Sequence, residues 1–344
     1  MPAEPVSPHR IAMTVMIATG VLALGAYWRA HIERVRAAEA LSASVAAAGV
    51  VQPGAMPPWT HRTAHFSIES TAGEADTAEV GRAAEVLHAA WRAFFTQELA
   101  ERQSDAATRE APLRMRLYGS QAEFKAHNRS RQWAEAFYLR PVSHAYVSRG
   151  RGNRHHWMLH EAVHQLNAEV LGRRHPRWVE EGLASYFGTS RMQDGRLHLG
   201  DIDAGTYPAW WLPDFALGDS ADEDARRRRM IPLQAMLTGR DVPALDTNVN
   251  LHYIQHWSLV HYLLHGDGGR HAAGFRALMG TDAGLEAFER LIGPVGAIES
   301  GWRMHRGAML AQMQAHASWT DRPRTAGDAP QIREYDQDTM RPSR

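Results

Sequence analysis

The chain of 344 residues carries 38 basic and 38 acidic side chains, 20 histidines and no cysteine. The absence of cysteine excludes disulfides, thiolate metal sites, a cysteine nucleophile and iron–sulfur clusters, so a protein-bound metal must use histidine and carboxylate ligands. A formal net charge of zero argues against a nucleic-acid binder, and the single lysine, Lys125, leaves little basis for Schiff-base or P-loop chemistry.

Near the N-terminus lies an uncharged run, residues 11–28, with the sequence IAMTVMIATGVLALGAYW. A helix that spans a bilayer needs roughly 20 apolar residues, so this run is just long enough. It is apolar on all faces, which disfavours a buried helix of a globular domain. We expect residues 1–36 to form a membrane anchor. A cleaved signal peptide is the alternative, because small residues are available for cleavage at Ala23, Gly25 and Ala26.

The arginines around this segment do not decide its orientation, since one precedes it and several follow closely: Arg10, and then Arg29, Arg34 and Arg36. We expect the domain after it to be extracytoplasmic, on the periplasmic side, and secreted if the segment is cleaved. Residues 37–58, rich in Ala, Ser, Gly and Pro, are the expected linker.

The first part of the domain is predicted to contain strands. Three segments alternate between apolar and polar residues: 65–69, 113–118 and 143–149. An amphipathic helix is expected over about 75–99, and Ser120 is a candidate N-cap for a short helix through Phe124.

Helical periodicity dominates from Asn153 onward, apart from a hairpin around Asp194-Gly195 and an irregular stretch over 201–229. The polar residues 320–344 are an expected loose tail. The predicted fold class is therefore α+β, with one domain over 59–319 that has a small strand-containing part followed by helices.

The chemistry-bearing motif is H-E-x-x-H in the segment MLHEAVHQLN. Residues four apart share a helix face, so His160 and His164 can bind one Zn²⁺. Glu161 flanks that face and can accept a proton from a zinc-activated water. Glu169 lies too close along the same helix to supply the third ligand.

Other histidine pairs with the same spacing are weaker signals: His61/His65, His156/His160, His252/His256 and His261/His265. Most of them are expected to be solvated or hydrogen-bonded histidines, because about one such pair is expected by chance in a chain of this composition.

A third ligand is available about 17 residues beyond His164, in RWVEEGLASYF. A turn over 172–176 would return this second helix to the first, and Gly182 would permit close helix packing. Glu180 and Glu181 point about 100° apart, so only one of them can face the metal, and the other is expected to face solvent. Ser185 could support a ligand, but a small residue at a helix contact is the favoured interpretation.

The irregular stretch 201–229 contains Trp210-Trp211 and a run of arginines over 226–229. A segment of this kind forms either a lid over a cleft or solvated surface, and short charge runs are more often solvated surface.

The motifs HEAVHQLN and RWVEEGLASYF resemble those of the gluzincin metallopeptidases, in particular the peptidase-MA-like families of largely uncharacterised bacterial proteins. The Glu-Gly-Leu-Ala element is distantly similar to the Glu-Gly-Phe-Ala element of the M1 aminopeptidases. The Gly-x-Met-x-Asn stretch that binds a free amino terminus in those enzymes is not visible here, so aminopeptidase activity is not carried over.

This resemblance implies a zincin-like domain with His160, His164 and Glu181 as zinc ligands and Glu161 as general base. It also implies that Tyr253, on a later helix, stabilises the oxyanion, although a core tyrosine is an equal alternative. The strand over 143–149 is then a candidate sheet edge for an extended peptide substrate.

The expected function is zinc-dependent hydrolysis of peptide bonds in a peptide or protein substrate by a membrane-anchored enzyme. The alternative is a catalytically silent, zinc-stabilised binding or scaffold module at the membrane. The retained Glu161 and ligand set favour the enzyme.

Overall fold

The computed structural model describes residues 58–103, 111–131, 134–149, 153–173 and 175–316. All of them belong to the second of two units into which the chain divides, Pro57–Arg344. The predicted anchor (1–36), nearly all of the linker (37–58) and the tail (320–344) lie outside these residues. Among the described helices, none combines the length and the apolar character that crossing a bilayer requires.

The described residues form an α+β fold with a small sheet first and helices after it, as predicted. The sheet has five strands in the order β1-β2-β3-β5-β4. Their bounds are β1 Trp59–Arg62, β2 Phe66–Ser70, β3 Leu113–Tyr118, β4 Phe137–Leu139 and β5 Val142–Tyr146. The central strands β2, β3 and β5 are parallel, whereas β1 and β4 pair antiparallel at the two edges. A separate hairpin pairs β6 (Ser190–Gln193) with β7 (Arg196–Ile202).

Eleven α-helices are assigned within the described residues. They are α1 Glu74–Phe94, α2 Thr96–Gln103, α3 Gln121–His127, α4 His156–Leu166, α5 Arg177–Thr189, α6 Ala221–Arg226, α7 Leu233–Thr238, α8 Val249–His265, α9 Ala272–Met279, α10 Leu285–Leu291 and α11 Val295–His316. The apolar face of α1 and the interior face of the sheet share one core with α4, α5 and α8.

The predicted strands and the hairpin are confirmed, with shifts of a few residues at their ends. Ser120 is confirmed as an N-cap, because its hydroxyl accepts a hydrogen bond from the backbone nitrogen of Glu123. The single helix predicted over about 75–99 is divided in two at Phe95. The strands β1 and β4, of four and three residues, were not predicted because such short segments show no clear alternation.

The expectation that the strand over 143–149 forms the sheet edge is wrong. The strand β4 pairs with β5 from Phe137 to Leu139, so β5 lies inside the sheet and β4 is the edge. An extended segment that adds to this side of the sheet would therefore meet β4.

Candidate metal centre

The helix α4 carries the H-E-x-x-H motif and is fixed against the sheet by its buried face. Leu159, Ala162 and Val163 are fully buried. Gln165 ties the helix to the strands, because its amide nitrogen donates to the carbonyl oxygens of Arg114 and Pro141 at 2.9 and 2.8 Å. The position of the two histidines relative to the sheet is thus set by packing and by hydrogen bonds.

The chain then reverses direction and brings α5 back against α4. A short π-helical turn, Asn167–Leu171, ends at Gly172, whose positive φ of 60° is a conformation that favours glycine. Pro176 precedes the first residue of α5. The end of the π-helical turn at Gly172 and the start of α5 after Pro176 agree with the predicted reversal, and the two carboxylates of α5 lie beside the histidines of α4.

Gly182 permits close helix packing, as predicted, but the helix that it packs against is α8 and not α4. A Cβ atom at this position would lie 2.5 Å from Cγ2 of Val260 and 2.7 Å from the carbonyl oxygen of His256. The backbone next to Glu181 is therefore pressed against α8, which fixes where the Glu181 carboxylate can reach.

The structure brings His160, His164 and Glu181 together. The Nε2 atoms of the two histidines are 3.2 Å apart. Oε2 of Glu181 lies 3.2 Å from Nε2 of His160 and 3.5 Å from Nε2 of His164. The three ligand atoms thus form a nearly equilateral triangle.

This triangle has the size that a tetrahedral zinc ion requires. Zinc binds histidine nitrogen and carboxylate oxygen at about 2.0–2.2 Å, so ligands at tetrahedral angles are about 3.3–3.5 Å apart. The observed separations of 3.2, 3.2 and 3.5 Å lie within about 0.1 Å of that spacing. The donor set of two imidazoles and one carboxylate also fits zinc and leaves one coordination position open.

Glu161 lies beside the triangle and is held by the edge strand. Its Oε2 accepts a hydrogen bond of 2.8 Å from the backbone nitrogen of Tyr138 in β4. Burial raises the pKa of this carboxyl group, opposed by the nearby histidines. A carboxylate that is partly desolvated and oriented in this way is suited to accept a proton.

The expectation that Glu180 faces solvent is wrong. Its Oε1 accepts a hydrogen bond of 2.8 Å from the backbone nitrogen of His175, and its Oε2 lies 3.7 Å from Nδ1 of His164. The amide of Asn167 donates to the same Oε2 at 3.4 Å, and the indole nitrogen of Trp91 donates to Asn167 at 3.0 Å. Glu180 therefore lies beside Nδ1 of His164, whereas Glu181 lies beside Nε2 of the same imidazole ring.

The charges of His164, Glu181 and Glu180 influence one another. Burial opposes ionisation of His164, but the carboxylates of Glu181 and Glu180 outweigh it and raise the pKa of His164. Burial likewise opposes the charge on Glu181, and the adjacent histidines lower its pKa well below the ordinary value. The negative charge at Glu181 suits coordination of a cation.

Tyr253 borders the same site from α8. Its ring centroid is 6.0 Å from that of His160. Burial, together with the charge of Glu181, raises the pKa of Tyr253 well above its usual value, so the phenol keeps its proton near neutral pH. A protonated phenol at this position can donate a hydrogen bond.

A second tyrosine, Tyr207, lies in the stretch 201–229 and was missed by the sequence analysis. Its ring packs 5.3 Å from that of Tyr253 and stacks 4.9 Å from that of Trp157. Burial and the charge of Glu181 raise its pKa well above the usual value. The only available signal was an aromatic cluster, Tyr207 with Trp210-Trp211, in a stretch with no periodicity. Part of this stretch therefore forms a wall of the candidate site.

Ser185 and the other histidine pairs lie in surroundings that indicate a role in the fold. The hydroxyl of Ser185 is buried and has no hydrogen-bond partner among the described residues, which agrees with the favoured interpretation of a small residue at a helix contact. Three histidines of the other pairs on α8 are hydrogen-bonded: His252 to the carbonyl oxygen of Pro243, His261 to that of Gly200, and His265 to the hydroxyl of Tyr186. The fourth, His256, has a buried Nδ1 with no hydrogen-bond partner among the described residues.

The part of the chain that matches a known family contains this site. Residues 157–276 match a family described as Protein of unknown function (DUF1570). The matched span begins just before His160, includes Glu161, His164, Glu181 and Tyr253, and leaves out the five-stranded sheet. No curated protein matches the chain. The family description assigns no activity, so the function has to be inferred from the geometry.

Proposed function

We propose that this protein is a zinc-dependent peptidase of the gluzincin type, which hydrolyses peptide bonds in a peptide or protein substrate. The observation that carries the proposal is the triangle of His160, His164 and Glu181, whose edges have the length of a tetrahedral zinc site. The carboxylate of Glu161 beside this triangle supports hydrolysis rather than a purely structural metal, because a structural site needs no base.

The ligands in this proposal are Nε2 of His160, Nε2 of His164 and Oε2 of Glu181. When bound there, zinc supplies a Lewis acid that makes water more acidic and polarises a carbonyl group. Glu180 orients His164 from behind, in the manner of the carboxylate–histidine pairs that support metal ligands.

Glu161 moves the proton in the reaction. It accepts a proton from the attacking water as the water oxygen forms a bond to the carbonyl carbon of the substrate. It then donates that proton to the amide nitrogen as the carbon–nitrogen bond breaks, which releases a neutral amine. The hydrogen bond from Tyr138 holds Oε2, so the carboxylate keeps one orientation during both transfers.

Tyr253 stabilises the negative charge that develops on the carbonyl oxygen. Its buried phenol keeps its proton and lies next to His160, so it can donate a hydrogen bond in the transition state. Tyr207 packs against Tyr253 and limits the movement of its ring.

We also propose that residues 11–28 anchor the protein in the membrane, with the peptidase domain on the extracytoplasmic side. The support is the uncharged apolar run in the sequence.

The test uses the purified full-length chain and a broad peptide library, with Zn²⁺ content measured for each variant. Glu161→Gln should keep stoichiometric zinc and lose hydrolysis by at least about 100-fold, because the base is removed and the ligands are not. His160→Ala should lose both zinc and hydrolysis. The matched control is Glu286→Gln, which changes an exposed carboxylate with a side-chain accessibility of 96%.

The outcomes separate the alternatives. A Glu161→Gln variant that binds zinc and still cleaves peptides would refute the assignment of the base. A wild-type chain that binds zinc and cleaves no peptide of the library would support the zinc-stabilised binding module instead.

A further inference from the structure

A second cluster of possible metal ligands lies where the turn before β2 meets α1, and it shares no residue with the site on α4 and α5. His65 comes from this turn, and Glu85 and His88 come from α1. Residues three apart on a helix project to the same side, so Glu85 and His88 both face the turn. One possible ligand atom from each of the three residues lies within 4.8 Å of the other two.

The Glu85 carboxylate is held in a fixed orientation. Its Oε1 accepts hydrogen bonds from the backbone nitrogen of His65 at 2.8 Å and from the hydroxyl of Thr63 at 2.5 Å. Its Oε2 is directed at Nδ1 of His65, at 2.7 Å. Oε1 of Glu85 therefore fixes the turn to α1, while Oε2 faces the imidazole ring of His65.

His88 provides a second imidazole beside this pair. It is 2% exposed, and its ring stacks on that of His65 with a centroid distance of 3.7 Å. Burial and the neighbouring His65 lower the pKa of His88 to about 4. Its imidazole is therefore neutral near pH 7, which is the form that binds metal ions.

We propose that His65, Glu85 and His88 form a second metal site that binds a divalent transition ion, with Zn²⁺ as the probe. Two imidazole nitrogens and one carboxylate oxygen are a donor set that suits such ions, and water can complete the coordination. The ion would take the place of the hydrogen bond between Nδ1 of His65 and Oε2 of Glu85, and it would bind both imidazoles in their neutral form.

Binding requires a limited movement of one side chain. The separation of 2.7 Å between Nδ1 of His65 and Oε2 of Glu85 is shorter than the spacing of about 3.3–3.5 Å between tetrahedral ligands. The His65 ring must also turn out of the stack with His88, because a metal lies close to the plane of each imidazole that binds it. The side chain of His65 is 44% exposed, so it has room to turn, while Glu85 and His88 stay on the helix.

An ion at this site would join the turn to the middle of α1. That turn is otherwise held to α1 through the bonds of Glu85 to Thr63 and to the backbone of His65. Zinc should therefore raise the melting temperature of the chain through this site, whether or not the chain hydrolyses peptides.

The experiment counts metal ions in a full-length His160→Ala/His164→Ala chain, which removes the first site. After equilibrium dialysis against Zn²⁺, this chain should retain one zinc, and wild type should retain two. Adding either His65→Ala or Glu85→Gln should reduce the retained zinc from one to none. Glu85→Gln keeps an Oε1 that can accept both existing hydrogen bonds, so the fold should be preserved. The matched control is His127→Ala, which removes an exposed histidine elsewhere and should leave one zinc.

Two results would overturn the proposal. One is a double variant that retains no zinc while its far-ultraviolet circular dichroism matches wild type. The other is a retained zinc that neither His65→Ala nor Glu85→Gln removes. Both are independent of the first site, because the count is made in its absence.

Discussion

Gly182→Ala is the substitution that most directly tests how α5 is positioned. In most helices, replacing glycine by alanine stabilises the fold by about 1 kcal/mol, because alanine has the higher helix propensity. Here the new methyl group would lie 2.5 Å from Cγ2 of Val260 and 2.7 Å from the carbonyl oxygen of His256. We therefore expect the opposite sign.

The magnitude follows from these distances. Carbon atoms in contact are about 3.5–4.0 Å apart, so α5 and α8 must separate by about 1 Å. Overpacking of this kind typically costs about 1–3 kcal/mol, and the backbone carbonyl of His256 cannot yield as a flexible side chain would. After the gain in helix propensity, the free energy of unfolding should fall by up to about 2 kcal/mol.

The same displacement should weaken metal binding. Glu181 precedes Gly182, so a shift of α5 moves the carboxylate relative to His160 and His164 by a distance that exceeds the tolerance of about 0.2 Å in a metal site. We expect the zinc affinity to fall by at least about 10-fold.

The assay is urea unfolding of the metal-free chain together with competition for Zn²⁺ against a chromophoric chelator. The control is Gly307→Ala, since Gly307 also lies inside a helix but has no atom within 4 Å of the new methyl group. That variant should be as stable as wild type or more stable, with unchanged zinc affinity. A Gly182→Ala chain that behaves like Gly307→Ala in both measurements would refute the close packing of α5 against α8.

Three further predictions follow from the site and from the buried histidines. Glu181→Ala should abolish stoichiometric zinc binding, whereas Glu180→Gln should weaken it by only about 10–100-fold, as measured by chelator competition; equal losses would contradict their different roles. Tyr253→Phe should lower kcat by about 100-fold and leave the zinc content unchanged, because it removes only the hydrogen-bond donor; an unchanged kcat would assign Tyr253 to the core. Burial lowers the pKa of His261 to about 3, so the unfolded state, in which it titrates near 6.5, binds more protons as the pH falls. The free energy of unfolding should therefore decline below pH 6.5 by at most about 1.4 kcal/mol per unit for this residue, and His261→Gln should flatten the decline, whereas exposed His198→Gln should not.

The sequence predicts those parts of the fold that depend on local pattern. The first five residues of β3 alternate between apolar and arginine side chains, which is typical of a strand with one buried face, and α4 and α5 have apolar residues at helical spacing. The edge strand β4 has three residues and is defined by its partner β5, so no local pattern could reveal it. The contact between Tyr138 and Glu161 depends on this strand and was unpredictable for the same reason.

The distribution of histidines shows the same limit at the level of chemistry. A spacing of four residues identifies neighbours on a helix, which is why His160 and His164 could be paired from the sequence. His65 and His88 are 23 residues apart and meet only because β2 and α1 pack together, so spacing alone gives no sign of their contact.

The two adjacent carboxylates of α5 show why the orientation of a helix matters more than its existence. Because neighbouring residues on a helix point about 100° apart, the sequence allowed one metal ligand and one exposed side chain. In the structure, α5 is oriented so that Glu181 faces the Nε2 atoms of both histidines. Glu180 lies near Nδ1 of His164, on the other side of that imidazole ring. One helix then supplies both a candidate ligand and the carboxylate that lies beside another candidate ligand. A rotation of α5 about its axis would disturb both carboxylates at once, which is why the packing of Gly182 against α8 controls the geometry of the whole site.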